Sequence, residues 1–331
     1  MKLILNTPGL YLRKRGECFQ IQEEDKKHEI AAIKVEQILI TTQALLTTDA
    51  IELALENNID IIFLKRSGRP MGRVWHSKLG SISTIRRKQL FLQESPLGLQ
   101  LVKEWLTEKM DNKIRVLKKL AANRRDEERR DLIKDAIEKI EKQRKNIMSV
   151  GDDEVINNVR NSFLGYEGTA GRAYFSILGQ LVPEKYAFES RSRNPAKDPF
   201  NCMLNYSYGI LYSNVEKACI IAGLDPYIGI MHTDNYNKKA LVYDIIEMYR
   251  GYMDEIVLRL FNTKKIQDDF FDDVEGGCYL NKQGKQALIA EYNKELEVKM
   301  NYRGRRIEFA NIIQYDCHQI ANRILKEDIK C

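Results

Sequence analysis

The 331-residue sequence lacks the features that mark several classes of protein. Its six cysteines form no CxxC pair and no zinc-ribbon spacing, which argues against a zinc finger or a disulfide scaffold. The N-terminal MKLILNTPGL has only a short apolar run before Asn6 and Pro8, too short for a signal-peptide core. No window approaches the ~20 apolar residues of a membrane span. We therefore expect a cytoplasmic protein with reduced thiols and no membrane association.

No P-loop sequence, internal repeat or low-complexity tract is present beyond charged helices. Hydrophobic residues make up 44% and charged residues 30% of the chain, which is typical of a globular protein of about two domains. The net charge is +6, and residues 84–147 alone hold 18 Lys and Arg against 11 Asp and Glu. This localised positive charge favours a polyanionic substrate, although a solvated helix face of mixed charge would give the same count.

The spacing of apolar residues changes after the first quarter of the chain. Residues 1–80 have short alternating runs separated by turn residues, which predict a β-rich N-terminal domain. One helix is predicted over residues 47–57, with Thr48 or Asp49 as its N-cap. Residues 81–331 have an apolar period of about 3.6 residues, which predicts a larger, almost all-α domain. The fold class is therefore α+β, with helices predicted over residues 99–123, 126–147, 153–180, 199–222, 238–261 and 304–327.

A histidine and two carboxylates form the most informative pattern in the chain. Asp244 and Glu247 follow His232 by 12 and 15 residues, in GIMHTDNYNKKALVYDIIEMYRG. One imidazole with two or three carboxylates suits a hard divalent cation such as Mg²⁺ or Mn²⁺. The alternative for His232 is an ordinary structural histidine.

On a helical wheel, Asp244 and Glu247 lie opposite the apolar stripe of their predicted helix, beside Ala240 and Gly251. The small neighbours would leave room for a bulky ligand to approach. The alternative is a solvated acidic face.

Glu167 is the next candidate ligand, in NSFLGYEGTAGRAYFSILGQL. Gly165, Gly168 and Gly171 surround it at intervals of three residues. Each glycine costs a helix interior up to ~1 kcal/mol relative to alanine, so a tight helix crossing or a close approach to a ligand is expected. A packed crossing with an incidental glutamate remains the alternative.

A basic loop precedes the helix predicted at 199–222. Arg191 and Arg193 lie in this proline-containing loop and could position phosphates, although a solvated surface loop is equally compatible. Asp198 precedes Pro199, which predicts an aspartate N-cap with proline at the first helical position.

These segments together resemble the CRISPR-associated adaptation integrase, the larger subunit of the spacer-acquisition complex. The resemblance covers nearly the whole chain and rests on YEGTAGRAYF, on the Arg-Asn-Pro…Asp-Pro-Phe-Asn…Leu-Asn-Tyr segment, and on GIMH followed by LVYDIIEMYR. It implies that Glu167, His232 and Glu247 hold a catalytic Mg²⁺ or Mn²⁺, and that Asp244 lies near them. Many relatives have aspartate at the last ligand position, where this chain has glutamate.

The resemblance also implies a metal-dependent DNA endonuclease and integrase that joins a short DNA segment into a repeat array. Double-stranded and branched DNA would be the substrates. The β-rich domains would form a homodimer, and a small ferredoxin-like partner would complete a larger complex. Asp244 could orient a metal-bound water or hold His232, and both roles stay open. Arg86, Arg87 and Arg125, with the two arginines of the basic loop, are candidate DNA contacts.

Two other function classes compete with the integrase. One is a non-catalytic nucleic-acid-binding scaffold of the same fold, which the chemically competent residues at all the ligand positions argue against. The other is a metallohydrolase of small phosphorylated substrates, which the extended basic segment argues against.

Overall fold

A computed structural model gives the fold of this chain. It describes residues 1–24, 26–65, 68, 70–74, 83–122, 124–233, 236 and 238–327. The strands are β1 Lys2–Leu5, β2 Leu10–Arg15, β3 Cys18–Glu23, β4 Lys26–Ala31, β5 Gln37–Ile40, β6 Ala44–Leu46, β7 Asp60–Leu64, β8 Pro70–Val74, β9 Phe271–Val274, β10 Gly277–Leu280, β11 Lys299–Tyr302 and β12 Arg305–Glu308. The helices are α1 Thr48–Glu56, α2 Ser83–Gln89, α3 Pro96–Ala122, α4 Glu127–Met148, α5 Ile156–Leu181, α6 Pro199–Ala222, α7 Ala240–Ile246, α8 Arg250–Asn262, α9 Lys282–Leu296 and α10 Phe309–Lys326.

The N-terminal strands form two sheets. One has the order β1-β5-β7-β8, with parallel pairs except for the antiparallel β7 and β8. The other has the order β4-β3-β2-β6, in which β2 and β6 run parallel and the other neighbours antiparallel. Their buried side chains form one apolar cluster that also takes in the buried face of α1. The alternating runs in the sequence supply this cluster, because successive strand residues point to opposite faces.

Helix α1 confirms the predicted helix but begins at a different cap. Thr47 has extended backbone angles, and its side chain accepts a hydrogen bond from the N–H of Ala50 at 3.2 Å. Thr48 is already the first helical residue, so the predicted caps at Thr48 and Asp49 were wrong by one and two positions. At the start of α6 the prediction is confirmed, because Asp198 accepts the N–H of Asn201 at 2.7 Å.

Contacts group the chain into two compact units. The first contains Met1–Leu79, Arg193–Ser213 and Lys264–Ala310, and the second contains Gly80–Ser192, Asn214–Thr263 and Asn311–Cys331. The first unit thus holds the two sheets together with two later hairpins, β9–β10 and β11–β12. The predicted domain boundary between residues 80 and 81 lies outside the described residues and stays a prediction.

The α+β fold class is confirmed, with a β-rich N-terminal region followed by mostly helical structure. The helix predicted over 238–261 is wrong in one respect: the structure has α7 and α8, separated by turn residues 247–249. The segment predicted as helix over 304–327 begins as strand β12 before α10. Among the described residues, no helix is both long and apolar enough to span a membrane.

Candidate active site

The segment that carries His232 is held by the carboxylate of Asp244. One oxygen of Asp244 accepts the backbone N–H groups of Ile230 and Met231, at 2.7 and 3.1 Å. The other accepts the N–H of His232 at 3.0 Å and lies 2.6 Å from Nδ1 of the same residue. Because an ionised carboxylate only accepts, Nδ1 carries the hydrogen, and the neutral ring presents a lone pair at Nε2. Asp244 is fully buried at its side chain, whereas His232 is about a third exposed.

Side chains of other elements hold the opposite edge of this segment. Arg160 of α5 donates to the carbonyls of Met231 and Ile230, at 2.9 and 3.3 Å. Gln93 donates to the carbonyl of Gly229 at 2.9 Å. The segment lies outside helices and strands, so these side chains satisfy polar groups that a sheet would otherwise satisfy.

Gln89 binds the start of the same segment. Its amide donates to the carbonyls of Asp225 and Ile228, each at 2.8 Å, and accepts the N–H of Asp225 at 3.0 Å. Gln89 is itself completely buried. The histidine is therefore presented by a segment that is fixed on both edges.

Glu247 lies where α7 ends and the chain turns into α8. The amide of Asn112 in α3 donates to the carbonyl of Met248 at 2.8 Å, which stabilises the break between the helices. A side chain on Gly251 would come within 2.9 Å of the Asn112 Cβ, so α3 and α8 approach closely here. Glu247 is thereby buried against α3, with 5% of its surface exposed.

The charge of Glu247 is compensated by two cations. Arg250 lies 2.7 Å from one of its oxygens, and Lys109 of α3 lies 2.5 Å from the other. Burial by itself would raise the pKa of Glu247, but the charges of Arg250 and Lys109 outweigh burial and lower this pKa to about 2. Glu247 is therefore an ionised carboxylate over the whole physiological pH range.

Lys109 also contacts Glu167 of α5, so one ammonium bridges two carboxylates. Glu167 is partly exposed, with 21% of its side-chain surface accessible, and Lys109 only 7%. Of the two alternatives predicted for the neighbouring glycines, the tight helix crossing is wrong, and the close approach to a ligand stays a prediction. Over the described residues, a Cβ at Gly165 or Gly171 would have no neighbour within 4 Å. The helix surface beside Glu167 is therefore open on the glycine side.

The pKa of His232 responds to all these carboxylates. Burial lowers this pKa, but the hydrogen bond and the charge of Asp244, followed by the charges of Glu247 and Glu167, raise it above its ordinary value of 6.5. The imidazole and the two glutamates therefore share one electrostatic environment, although they come from three separate stretches of sequence.

A second buried lysine lies one helical turn beyond Lys109. The ammonium of Lys113 is 4.1 Å from the ring centroid of Tyr174, whose hydroxyl donates to Asp254 at 2.8 Å. Burial, followed by the charge of Lys109, lowers the pKa of Lys113 to about 7. Helix α3 thus lines the site with positive charge.

The donor set suits a hard divalent cation, because it combines two carboxylates with a neutral imidazole nitrogen. Within the described part of the chain, no three His, Cys, Asp or Glu side chains are already arranged as a metal centre. Instead, the ammonium of Lys109 contacts one oxygen of Glu167 and one oxygen of Glu247. That bridge shows that the two oxygens can converge on a single positive charge.

Comparison with known proteins identifies the family. A family model described as CRISPR associated protein Cas1 matches residues 3–294. The chain belongs to the Cas1 family. Over 327 residues it is 32% identical to CRISPR-associated endonuclease Cas1 1 of Archaeoglobus fulgidus, covering 95% of this chain and 93% of the relative. The resemblance inferred from the sequence is confirmed, and the chain is a DNA endonuclease and integrase of CRISPR adaptation. The non-catalytic scaffold and the small-molecule metallohydrolase are therefore set aside.

Solved structures share the fold. A casposase bound to integration product superposes with a TM-score of 0.81 at 21% identity, covering 99% of this chain and 91% of the casposase. A chain of the Cas6-RT-Cas1–Cas2 complex gives a TM-score of 0.77 at 22% identity, covering 98% of this chain and 35% of that longer one. The Cas1 fold is therefore shared along the whole length of this chain. Nucleases of this family generally need a divalent metal ion.

The structure changes the interpretation of the acidic pair. Asp244 and Glu247 do not form a solvated face, since they are only 3% and 5% exposed. The wheel identified the apolar stripe, but α3 covers the other side through polar side chains such as Lys109 and Asn112. The small residues next to the pair do not leave room for a ligand. Gly251 packs on Asn112, and a Cβ on Gly229 would come within 2.5 Å of the Cβ of Ala240.

The arginines predicted to contact DNA have unequal exposure. Arg87 of α2 and Arg125, between α3 and α4, are exposed, whereas Arg86 is half-buried. Arg191 is half-buried over an aromatic ring of α5, and Arg193 is exposed. Their role in DNA binding stays a prediction.

The sequence analysis missed Lys109 and Lys113, which it counted among surface charges. Both lysines are buried. A signal was present, because Leu99, Val102 and Leu106 of α3 are followed by Lys109 and Lys113 at the same three- and four-residue spacing. Lysines that continue an apolar stripe must have buried partners. Gln89, Gln93 and Arg160 had no comparable signal, because they contact backbone groups of a distant segment.

Proposed function

We propose that Glu167, His232 and Glu247 hold one Mg²⁺ or Mn²⁺ ion, and that this site catalyses strand transfer and cleavage of DNA. The observation that carries the proposal is the bridge from Lys109 to carboxylates of α5 and α7. Two proposed ligands already contact one positive charge. Asp244 fixes the imidazole of the third, whose pKa is raised also by the charges of both glutamates. When bound, the metal supplies Lewis-acid chemistry at a phosphoryl oxygen.

The reaction is a transesterification. A DNA 3′-hydroxyl forms a new P–O bond and loses its proton, while the bond from phosphorus to another 3′-oxygen breaks and that oxygen gains a proton. One phosphodiester replaces another, so no nucleotide cofactor is required. Water in place of the attacking hydroxyl gives hydrolysis at the same site, which accounts for endonuclease activity.

The protein groups have separate parts in this proposal. Asp244 holds the imidazole with hydrogen on Nδ1 and leaves Nε2 as the metal donor. Of the two roles left open for Asp244, this geometry favours holding His232 over orienting a metal-bound water. Arg250 holds Glu247 in its ionised form. The cationic groups of α3 and α8 would attract the phosphate and stabilise the charge that builds on its oxygens.

We also propose double-stranded and branched DNA as the substrates. In support, the casposase of the same fold is bound to integration product. A homodimer through residues 1–80, together with a small ferredoxin-like Cas partner, would complete the assembly. A Cas1–Cas2 complex occurs among the solved structures of this fold, which supports a second Cas protein.

Joining assays on variants test the site. His232→Ala and Glu247→Ala are expected to abolish joining of a pre-processed DNA duplex to a repeat-containing plasmid, with DNA binding retained. Ligand loss removes the metal but leaves the basic surface intact. His318→Ala is the matched control, because this histidine is exposed and lies 3.0 Å from the amide of a neighbouring glutamine of α10. The assay is run with and without the small partner, and with EDTA.

Direct metal binding gives a second readout. Calorimetric titration with Mn²⁺ should show one site in the wild type and none after either substitution. Joining by either variant at the wild-type rate, or unchanged Mn²⁺ binding, would show that the ligands are assigned wrongly.

A further inference from the structure

Lys109 is a buried lysine. It lies on the buried face of α3 and is 6% exposed. Its ammonium reaches the facing oxygens of Glu167 and Glu247, which come from helices α5 and α7. Burying a lysine is costly unless its charge is compensated, and here two carboxylates compensate it.

The two bridged oxygens are those that a metal would use. The other oxygen of Glu247 is already bound to Arg250 at 2.7 Å, so the oxygen facing Lys109 is the one left for an additional cation. On Glu167, the oxygen in contact with the ammonium is Oε1, and it shares that ammonium with Glu247. A metal bound by both carboxylates and the position taken by the ammonium therefore overlap.

We propose that Lys109 is a built-in cation that stabilises the metal-free site and is displaced when the metal binds. This inference rests on the proposed function, because it takes Glu167 and Glu247 as ligands. An ammonium and a divalent ion compete for the same two oxygens, because two cations this close repel each other. The four-carbon stem of lysine is flexible enough to withdraw the charge from the carboxylates.

The exchange has two consequences. The metal-free protein does not leave two facing carboxylates uncompensated, so its fold does not depend on the metal. The metal must break two ammonium contacts before it binds, so its affinity is lower than the ligands alone would give. Lys109 is a positioning residue for the site in this view, and its effect is on metal affinity.

Calorimetric titration with Mn²⁺ tests the exchange on the full-length protein. Lys109→Met keeps an unbranched apolar stem one atom shorter than that of lysine and removes the charge. We expect this variant to bind Mn²⁺ at least about tenfold more tightly than the wild type. The reason is that the metal no longer has to break a buried charge contact, and one such contact changes an affinity by about that factor. We also expect its metal-free melting temperature to fall and its stabilisation by Mn²⁺ to increase. Affinity equal to or weaker than wild type would overturn the proposal.

A second measurement covers the case in which Lys109→Met does not fold. Lysine acylation of the wild type, followed by mass spectrometry, should show little labelling of Lys109 without metal and more labelling with saturating Mn²⁺. Lys134, which is exposed on α4, is the reference for reagent activity. Labelling of Lys109 that does not change with Mn²⁺ would also overturn the proposal.

Glu247→Gln in the same titration separates the two proposals. The proposed function requires that this variant lose Mn²⁺ binding. If Glu247→Gln binds Mn²⁺ as the wild type does, the ligand assignment fails whatever Lys109 does. If Glu247→Gln loses binding while Lys109→Met shows no gain, only the exchange fails.

Discussion

Asp244→Asn is the substitution for which the structure gives the clearest quantitative expectation. The two side chains have the same shape, but an amide has one accepting oxygen where the carboxylate has two. In the protein each oxygen of Asp244 accepts two donors. With its NH₂ group toward Ile230 and Met231, the amide faces two backbone donors. With its NH₂ group toward His232, it faces the backbone N–H and keeps the ring contact only if the ring hydrogen moves from Nδ1 to Nε2.

The cost follows from one or two lost hydrogen bonds and from the loss of the charged acceptor in the others. Hydrogen bonds to a charged acceptor contribute about 1.5–3 kcal/mol each, so the free energy of unfolding should fall by about 3–6 kcal/mol. Asp225→Asn is the matched control in the same segment. The side chain of Asp225 accepts the N–H of Tyr227 at 2.9 Å through one oxygen, which an asparagine can replace. This control should change the free energy of unfolding by no more than about 0.5 kcal/mol.

Urea unfolding at several pH values provides the assay. The pKa of His232 is raised in the folded protein, so the folded state binds this proton more tightly than the unfolded chain. The resulting stability is fully present below the ordinary pKa of 6.5 and is lost as pH rises through the raised value. Asp244→Asn should remove this pH dependence. A loss of less than about 1 kcal/mol, similar to the control, would refute the role given to Asp244.

Three further predictions concern other residues of the mostly helical part of the chain. Lys113→Met should flatten the pH dependence of stability between pH 7 and the ordinary lysine pKa of 10.5. In that window Lys113 is deprotonated in the folded protein and protonated in the unfolded chain. In the wild type, stability should rise with pH across that window by up to about 1.4 kcal/mol per unit in urea titrations, and a flat wild-type curve would contradict the assignment. Tyr249→Phe removes a hydroxyl that donates to a buried aspartate of α10 at 2.7 Å. Thermal unfolding should show that the free energy of unfolding falls by about 1.5–3 kcal/mol, and an unchanged value would contradict the importance of this contact. Charge reversal at Arg86, Arg87 and Arg125 should weaken DNA binding at low salt whatever the sequence, with a shallower salt dependence by fluorescence anisotropy, and unchanged affinity would remove these residues from the DNA path.

The sequence was sufficient for the features that depend on local periodicity and on motif order. The change from alternating to helical spacing predicted the β-rich region and the helical region after it. The order of the segments around Glu167, His232 and Glu247 indicated the family. The start of α6 was predictable because Asp198 and the N–H it accepts are three residues apart and Pro199 follows directly. The start of α1 was not, because Thr47, Thr48 and Asp49 are all residues that can cap a helix.

The tertiary structure decided how the acidic residues are used. A helical wheel finds one apolar stripe and leaves the remaining face to solvent, so it placed Asp244 and Glu247 outside the core. In the folded protein α3 covers Glu247 and contributes Lys109 to the compensation of its charge, whereas Asp244 is bound by the segment that carries His232. Lys109 and Glu167 are 58 residues apart, and no local pattern links a lysine to a carboxylate at that distance. Local spacing determined which residues could serve as ligands, whereas helix packing determined which cation their oxygens face, because charge compensation in a buried site depends on neighbours in space.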